Sequence, residues 1–426
     1  MPFPKPPPVA PNSLEIWLGD TDRAEVGREA FFRGRDHEYG VFQNALNMLM
    51  YGRVGGGTMI FQGAPGAGKT ALMQECMEAV RQHSTPQEPW IPVLVRPDML
   101  GSAPAVIEAM MEATKQELER LDRVFPSRVY ILRKLKNLLR GFSSFLSSRN
   151  YNVGARAGEI EISAQSELRN TQKSLNISAE AAFRNTASIF NNKHLVIFVD
   201  EAQNTPISES TKAVVSCLHE GVQGISLIAA FFGLSDTEGV LRQCDLSRPL
   251  RDRILTLETM SQEEAASAIQ GVFDAYEFNG PDQATWVDEL ARLSQGWPQH
   301  INSVAVAAGQ VIQKNGGSLQ SDLLQQAVEL GKEKKKQYYY TRLKACSGRV
   351  WVYKELAKVA GDSNGLLSWD EIDNISERMR NKMGLSTNDF LTDALHAGVL
   401  MESKSLPDYY KVPIPSFGDY LRELPL

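Results

Sequence analysis

The chain has 426 residues, a mass of 47.3 kDa and a net charge of −6, with 42% hydrophobic and 23% charged residues. This length accommodates two or three domains, and the apolar content excludes disorder as the main state. The acidic balance excludes a polycation that coats nucleic acid along its whole surface. No apolar run approaches the ~18 residues of a membrane helix. The four cysteines are far apart and form no CxxC pair. We therefore expect no membrane partner, no zinc site and a cytoplasmic location.

The first 24 residues are rich in proline and predict a flexible arm. Between residues 25 and 260, short apolar runs alternate with helical patterns, which is typical of a parallel α/β sheet. Residues 123–193 do not fit this alternation and predict an insertion. The predicted elements are a helix over 42–50, a strand over 58–61, a helix over 70–82, a strand over 92–96, a helix over 103–121, a strand over 195–199, a helix over 211–220 and a strand over 225–232.

The remainder of the chain has a different organisation. Residues 261–333 carry four helical patterns and predict a small helical lid. Residues 338–426 predict three helices followed by a hairpin, over 399–402 and 410–412, which is the order of a winged helix. The predicted fold class is α/β, a parallel sheet with a helical lid subdomain and a C-terminal winged-helix domain.

A complete GxxxxGK[ST] motif follows the first predicted strand. Its glycines let the backbone wrap a polyphosphate, and the next helix directs its positive end toward the phosphates. Lys69 is expected to reach the β- and γ-phosphates, and the Thr70 hydroxyl to ligate Mg²⁺. The predicted cofactors are ATP and Mg²⁺. The predicted nucleotide-binding residues are Gly63, Ala64, Pro65, Gly66, Ala67, Gly68, Lys69, Thr70 and Ala71.

Two acids, Asp200 and Glu201, end the buried strand over 195–199. A carboxylate in this position is costly unless it meets a cation, so Asp200 is expected to hold Mg²⁺ through water. Glu201 is expected to polarise the water that attacks the γ-phosphate. The alternative is that the pair caps the next helix. An adjacent second acid indicates hydrolysis rather than binding alone.

The segments 61–70 and 196–201 resemble those of AAA+ ATPases and of the related STAND signalling ATPases. The stretch 32–38 is similar to the F-x-G-R-x-x-E box of STAND proteins and origin-recognition initiator ATPases, where this box lies near the adenine. The resemblance thus implies that Arg33, Gly34 and Arg35 contact the nucleotide. It covers residues 30–425 apart from the insertion, and implies an AAA+-like P-loop ATPase.

The same resemblance implies two further catalytic groups. Ser235 or Asp236 takes the place of the first sensor of the γ-phosphate, with an N-cap of the following helix as the alternative. Arg248 or Arg253 takes the place of an arginine finger that reaches a neighbour's γ-phosphate, which implies an ATP-dependent oligomer. Surface arginines in ion pairs are the alternative.

Gly296-Trp297-Pro298 looks like the G-x-P motif of the STAND lid, which implies that Pro298 packs near the nucleotide. Initiator ATPases carry a sensor arginine at this helix start, where this chain has Gln299. Many STAND winged helices place a phosphate-sensing histidine where this chain has the stretch 411–417, which contains none. His300 and His396 remain as candidates, and each is more typical of a core or surface histidine.

Two basic segments, Arg128–Arg140 and Lys332–Lys344, could contact DNA, and Tyr338-Tyr339-Tyr340 could stack on bases within the second. The alternative is a solvated helix face. The predicted recognition helix over 386–395 has acids but no basic residue, which favours a protein contact.

Two functions remain open. One is an initiator-like ATPase acting on or with DNA. The other is a STAND-like signalling or defence ATPase that gates a separate effector protein. A regulator with little turnover is disfavoured by Glu201.

Overall fold

The computed structural model describes residues 33–51, 57–124, 179–246, 253–316, 319–345, 353–358, 366–383, 386–396, 398–403, 406 and 408–424. The predicted arm, most of the predicted insertion, the basic segment Arg128–Arg140 and Arg248 lie outside these residues. Among the described residues, no helix is both long and apolar enough to cross a membrane.

The first part of the chain folds as alternating strands and helices. Its elements are α1 Asp36–Met50, β1 Thr58–Gln62, α2 Lys69–His83, β2 Trp90–Val95, a 3-10 turn Pro97–Gly101, α3 Ala103–Val124, α4 Ala179–Phe190, β3 His194–Val199, a 3-10 turn Ala202–Asn204, α5 Glu209–Glu220, β4 Ser226–Gly233, α6 Thr237–Gln243 and β5 Ile254–Thr256.

The five strands form one parallel sheet in the order β2-β3-β4-β1-β5. Alternate residues of each strand pack on opposite faces, as the two-residue period of a strand requires. Phe61, Phe198 and Phe232 contribute to the core on one face, and Ile197 and Phe231 to the core on the other. Burial on both faces explains why these strands appear in the sequence as continuous apolar runs. The predicted α/β class is confirmed.

The lid follows as four helices with a separate core. They are α7 Gln262–Ala275, α8 Gln283–Ser294, α9 Pro298–Lys314 and α10 Ser321–Ala345. A capping box of Ser261 and Glu264 fixes the start of α7, because each side chain bonds the other residue's backbone N–H. The predicted division between lid and C-terminal domain, at residues 333–338, falls inside the continuous helix α10.

The C-terminal unit contains a helix over 353–358 (α11), β6 Leu366–Ser368, α12 Trp369–Met383, α13 Thr387–His396, β7 Met401–Glu402, β8 Tyr409–Lys411 and α14 Phe417–Glu423. Its strands form an antiparallel sheet of order β6-β8-β7. The core of this unit is continuous with the core beneath the P-loop strand. The C-terminal unit is therefore packed on the sheet domain that carries the P-loop rather than held apart from it.

Candidate nucleotide site

The P-loop connects β1 to α2 at the carboxyl edge of the sheet. Gly66 and Gly68 adopt φ angles of +83° and +88°, a backbone conformation that a side chain disfavours. Gly68 is the N-cap of α2, so the amino end of this helix faces the loop. The arrangement provides converging backbone N–H groups and a positive helix end, which together suit a polyphosphate.

Lys69 is the first residue of α2, and its side chain folds back into the loop. Its ammonium donates to the carbonyl oxygens of Gly63 at 2.9 Å and Ala64 at 3.1 Å. Burial lowers the pKa of Lys69 to about 8, the carboxylates after β3 act against this shift, and the charge of Arg342 adds to it. The predicted phosphate-binding cation is thus inside the P-loop, and a second cation lies near it.

Thr70 and Asp200 come together although they are far apart in sequence. The Thr70 hydroxyl donates to Oδ2 of Asp200 at 3.3 Å, while Oδ1 accepts the backbone N–H of Glu201 at 2.9 Å. Burial raises the pKa of Asp200, and its two hydrogen bonds oppose the rise. A hydroxyl and a carboxylate beside a phosphate cradle are hard oxygen ligands, the set that Mg²⁺ uses together with water and phosphate oxygens. The two side chains therefore fit the predicted metal.

Glu201 lies at the surface of this site, with a φ of +52°. Its Oε2 accepts a hydrogen bond from the side-chain amide of Gln203. The carbonyl oxygen of that same buried amide accepts the backbone N–H of Leu234 at 2.9 Å, in the loop after β4. Gln203 thus fixes the predicted catalytic carboxylate to the next strand end. Sequence reasoning missed Gln203, although its position two residues after Glu201 was a usable signal.

The candidate first-sensor residues follow β4, the strand between β1 and β3. Ser235 is buried, and its hydroxyl has no hydrogen-bond partner among the described residues. Asp236 occupies the N-cap position of α6 but makes no side-chain capping bond, so the capping alternative is not supported. Burial raises the pKa of Glu402 in β7, and Asp236 contributes to the rise. Asp236 is thus near β7, and the role of either residue as sensor stays a prediction.

The segment before α1, which contains Arg33, Gly34 and Arg35, contacts the backbone of the P-loop. Arg35 is buried, and its guanidinium donates to the carbonyl oxygen of Ala67 at 3.1 Å and to that of Glu258 at 2.5 Å. It also pairs with Glu38 at 3.5 Å. Gly34 packs on the lid, where an added Cβ would lie 3.2 Å from Glu264, and Arg33 is exposed. Arg35 therefore holds the P-loop backbone, and its contact with nucleotide stays a prediction.

The start of α9 lies directly on the P-loop. An added Cβ on Gly68 would be 3.5 Å from Cβ and Cγ of Pro298. The backbone N–H of Gln299 donates to the carbonyl oxygen of Gly66 at 3.2 Å. The structure thus places Pro298 beside the predicted phosphate cradle. The neighbouring Gln299 is uncharged, so this helix start supplies no cation.

Arg253 lies far from this cradle. It precedes β5 at the amino edge of the sheet, where its Nη2 is 3.6 Å from Sδ of Met48. Nearby, burial lowers the pKa of His219, and the charge of Arg253 adds to the decrease. Arg253 is therefore outside the chain's own phosphate site, and only a site on a neighbouring chain could use it as a finger.

Helix α10 connects the lid, the P-loop and the C-terminal unit. Lys335 is buried, and its ammonium donates to the carbonyl oxygen of Leu293 at 2.8 Å. Tyr338 donates to the carbonyl oxygen of Pro65 at 2.8 Å, and Tyr339 to that of Pro415 at 2.9 Å. Tyr338 and Tyr339 are therefore not available to stack on bases, and Lys335 is not a free surface charge.

His300 is a core histidine. It is fully buried between Tyr338 and Tyr339, and its Nδ1 is 3.1 Å from the carbonyl oxygen of Ser294. Burial and the charge of Lys335 lower the pKa of His300 to about 3. His300 is thus neutral and buried, which does not suit a residue that senses phosphate. The side chain of His396 lies outside the described residues.

Comparison with known proteins gives structural similarities only. No protein-family model matches the chain, and no curated protein matches it in sequence. The ORC2 protein of Aeropyrum pernix in its ADP form is 12% identical, with 92% of this chain and 96% of that chain covered at a TM-score of 0.48.

Two further solved structures are similar at lower TM-scores. The ORC1 protein of Aeropyrum pernix in complex with DNA is 12% identical, with 92% of each chain covered and a TM-score of 0.40. The Holliday junction branch migration motor RuvB of Thermotoga maritima is 12% identical, with 92% of this chain and 97% of that chain covered and a TM-score of 0.41. Such identities and scores say nothing of a shared activity.

The fold assignment depends on the chain's own features. A parallel sheet of order β2-β3-β4-β1-β5 carries the P-loop after β1 and the acidic pair after β3. A helical lid contacts the loop through α9. Together these features give the chain the AAA+-like P-loop fold that its sequence predicts.

Proposed function

We propose that the chain is a Mg²⁺-dependent ATPase that hydrolyses ATP to ADP and phosphate. The observation that carries this proposal is the 3.3 Å contact between Thr70 and Asp200 beside Lys69, with the exposed carboxylate of Glu201 next to it. Phosphoryl transfer depends on positioning and electrostatic stabilisation, and these residues supply both. These residues come from two separate segments, after β1 and after β3, that meet at one edge of the sheet.

Each residue has a distinct role in the proposed reaction. The P-loop backbone and Lys69 bind the phosphates, and Lys69 exchanges its bonds to loop carbonyl oxygens for phosphate oxygens. Thr70 and Asp200 would hold Mg²⁺, which neutralises part of the phosphate charge when bound. Glu201 accepts a proton from the attacking water, and Gln203 keeps its carboxylate oriented toward that water.

The test is nucleotide binding and phosphate release measured on the same preparations. Lys69→Ala should abolish ATP binding, because the phosphates lose their main buried counter-charge. Glu201→Gln should bind ATP as the wild type does but release phosphate about 10²–10⁴-fold more slowly, since an amide cannot act as the base. Normal turnover by Glu201→Gln would contradict the proposed role.

The client of this ATPase is proposed to be DNA, bound by an ATP-dependent oligomer. Lys332 and Lys336 are exposed on α10, and Lys332 pairs with Glu329 at 2.9 Å. A monomer with a net charge of −6 should bind weakly, whereas an oligomer would align several copies of the basic face. Contacts of this kind bind phosphates and do not depend on base sequence.

A signalling role with a separate effector protein is the second candidate. We interpret the C-terminal unit as a winged helix, whose recognition helix would be α13. The exposed Asp389 lies on α13, and the helix contains no lysine or arginine. An acidic helix is poorly suited to a phosphate-lined groove.

DNA binding with ATP and with ADP, measured against salt, separates the two candidates. A variant with Lys332→Glu and Lys336→Glu should lose ATP-dependent binding, and Lys314→Glu, on the lid helix α9, serves as a charge-reversal control outside the basic face. Binding that is absent at low salt, or unchanged in the double variant, favours the protein client.

A further inference from the structure

Two residues of α10, four positions apart and hence on one helix face, lie near the P-loop: Tyr338 contacts the loop, and Arg342 lies over the Tyr338 ring. Tyr338 donates to the carbonyl oxygen of Pro65, and its oxygen lies 2.7 Å from the place of a Cβ on Gly66. The guanidinium carbon of Arg342 is 5.5 Å from the centre of the Tyr338 ring. A ring bonded to the loop backbone thus holds the guanidinium of Arg342.

The charge of Arg342 is not neutralised in this position. Its Nε is buried without a hydrogen-bond partner, and it forms no ion pair with any carboxylate in the described parts of the chain. Its positive charge also lowers the pKa of Lys69, the buried cation of the P-loop. Two cations that lie close together repel each other, and an anion that binds both offsets this repulsion.

The shape of a guanidinium matches the anion that the P-loop would bind. Its planar fork donates two parallel hydrogen bonds to phosphate oxygens, and its charge is permanent. The usual alternative source of a cation, the start of α9, carries the uncharged Gln299. Stacking on Tyr338 restricts the guanidinium, so less conformational entropy is lost when it binds.

We propose that Arg342 binds the terminal phosphates of the nucleotide, opposite Lys69. This inference depends on the proposed ATP site and deepens it. It removes Arg342 from the basic face that was predicted to contact DNA. The phosphate site would then be completed by Arg342, a residue near the carboxyl end of α10, just before the C-terminal unit.

The first experiment is titration of a fluorescent ATP analogue into full-length variants. Arg342→Gln should weaken ATP binding about tenfold or more, which is the usual effect of losing a charge-assisted bond. Lys314→Gln removes an exposed charge from the lid helix α9 and should leave ATP binding unchanged. Equal affinities for wild type and Arg342→Gln would overturn the proposal.

A second experiment uses the wild-type protein and therefore does not depend on a folded variant. Phenylglyoxal modifies accessible arginines, and mass spectrometry reports the rate at Arg342. ATP should slow modification of Arg342, whereas AMP, which lacks the terminal phosphates, should not. Equal rates with ATP and AMP, in a protein that binds both, contradict the proposal. A wild-type chain that binds no ATP instead contradicts the proposed function.

Discussion

The side-chain amide of Gln203 bonds the carboxylate of Glu201 and, through its carbonyl oxygen, the backbone of the loop after β4. A catalytic base must be oriented as well as present. The same loop carries Ser235 and Asp236, so Gln203 joins the candidate base to the candidate sensor. Movement of that loop with nucleotide state would therefore move Glu201.

Gln203→Ala should lower kcat for ATP about tenfold and leave ATP affinity unchanged, because Glu201 loses its orientation but the phosphate cradle is intact. Steady-state phosphate release and equilibrium binding provide the two values. Asn204→Ala, an exposed change in the same 3-10 turn, is the matched control. If both variants lose the same activity, the turn matters only as a structural element.

Gly398→Ala should separate the C-terminal unit from the P-loop. An added Cβ would lie 2.0 Å from Cδ of Pro65, and Gly398 has a φ of +68°. Gly316→Ala is the control, since its φ is +85° but no atom lies within 4 Å of an added Cβ. Gly398→Ala should lose ~1–3 kcal/mol more free energy of unfolding than Gly316→Ala in urea titrations. Equal losses would show that the contact does not form in solution.

His300 should make stability depend on pH. Its folded-state pKa of about 3 is far below the ordinary 6.5, so the unfolded chain binds the extra proton between these values. This contribution is complete above pH 6.5 and is lost as the pH falls toward 3, at ~1.4 kcal/mol per pH unit at most.

The measurement for His300 is the free energy of unfolding from pH 4.5 to 7.5. His300→Gln should reduce the dependence on pH relative to the wild type. His37→Gln, which changes an exposed histidine, should leave that dependence unchanged. The same slope in all three proteins would show that His300 is not buried in solution.

An arginine finger supplied in trans should make the ATPase rate per chain rise with protein concentration. One of the two variants, Arg248→Ala or Arg253→Ala, should lose activity. Mixing the responsible variant with Lys69→Ala chains should restore part of it, because one interface then has both an intact P-loop and an intact finger. A rate that is independent of concentration would exclude this arrangement.

Local patterns predicted the sheet and the P-loop because both depend on residues close in sequence. The P-loop needs its glycines and Lys69 within one turn, and β3 and β4 are long apolar runs. Strand β5 was missed because it has only three residues. Strand β6, equally short, was also missed.

Contacts between distant segments could not be predicted in the same way. The basic composition of α10 indicated a solvated or DNA-binding face, yet the helix periodicity directs Lys335, Tyr338 and Tyr339 inward. Their roles depend on which surface packs against them, and that surface comes from residues 42 to 273 positions away. The position of Gln203, two residues after Glu201, was a usable signal, but its second partner follows a different strand and could not be predicted in this way.

Helix α10 is unbroken from Ser321 to Ala345, and it contacts the P-loop near its carboxyl end. At ~1.5 Å per residue, the distance from Tyr338 back to Ser321 is about 25 Å. A tilt of about 5° around Tyr338 would therefore move the far end of the helix by about 2 Å. A small tilt at the phosphate site would thus be amplified along the helix into a displacement of the lid large enough to change how its helices pack.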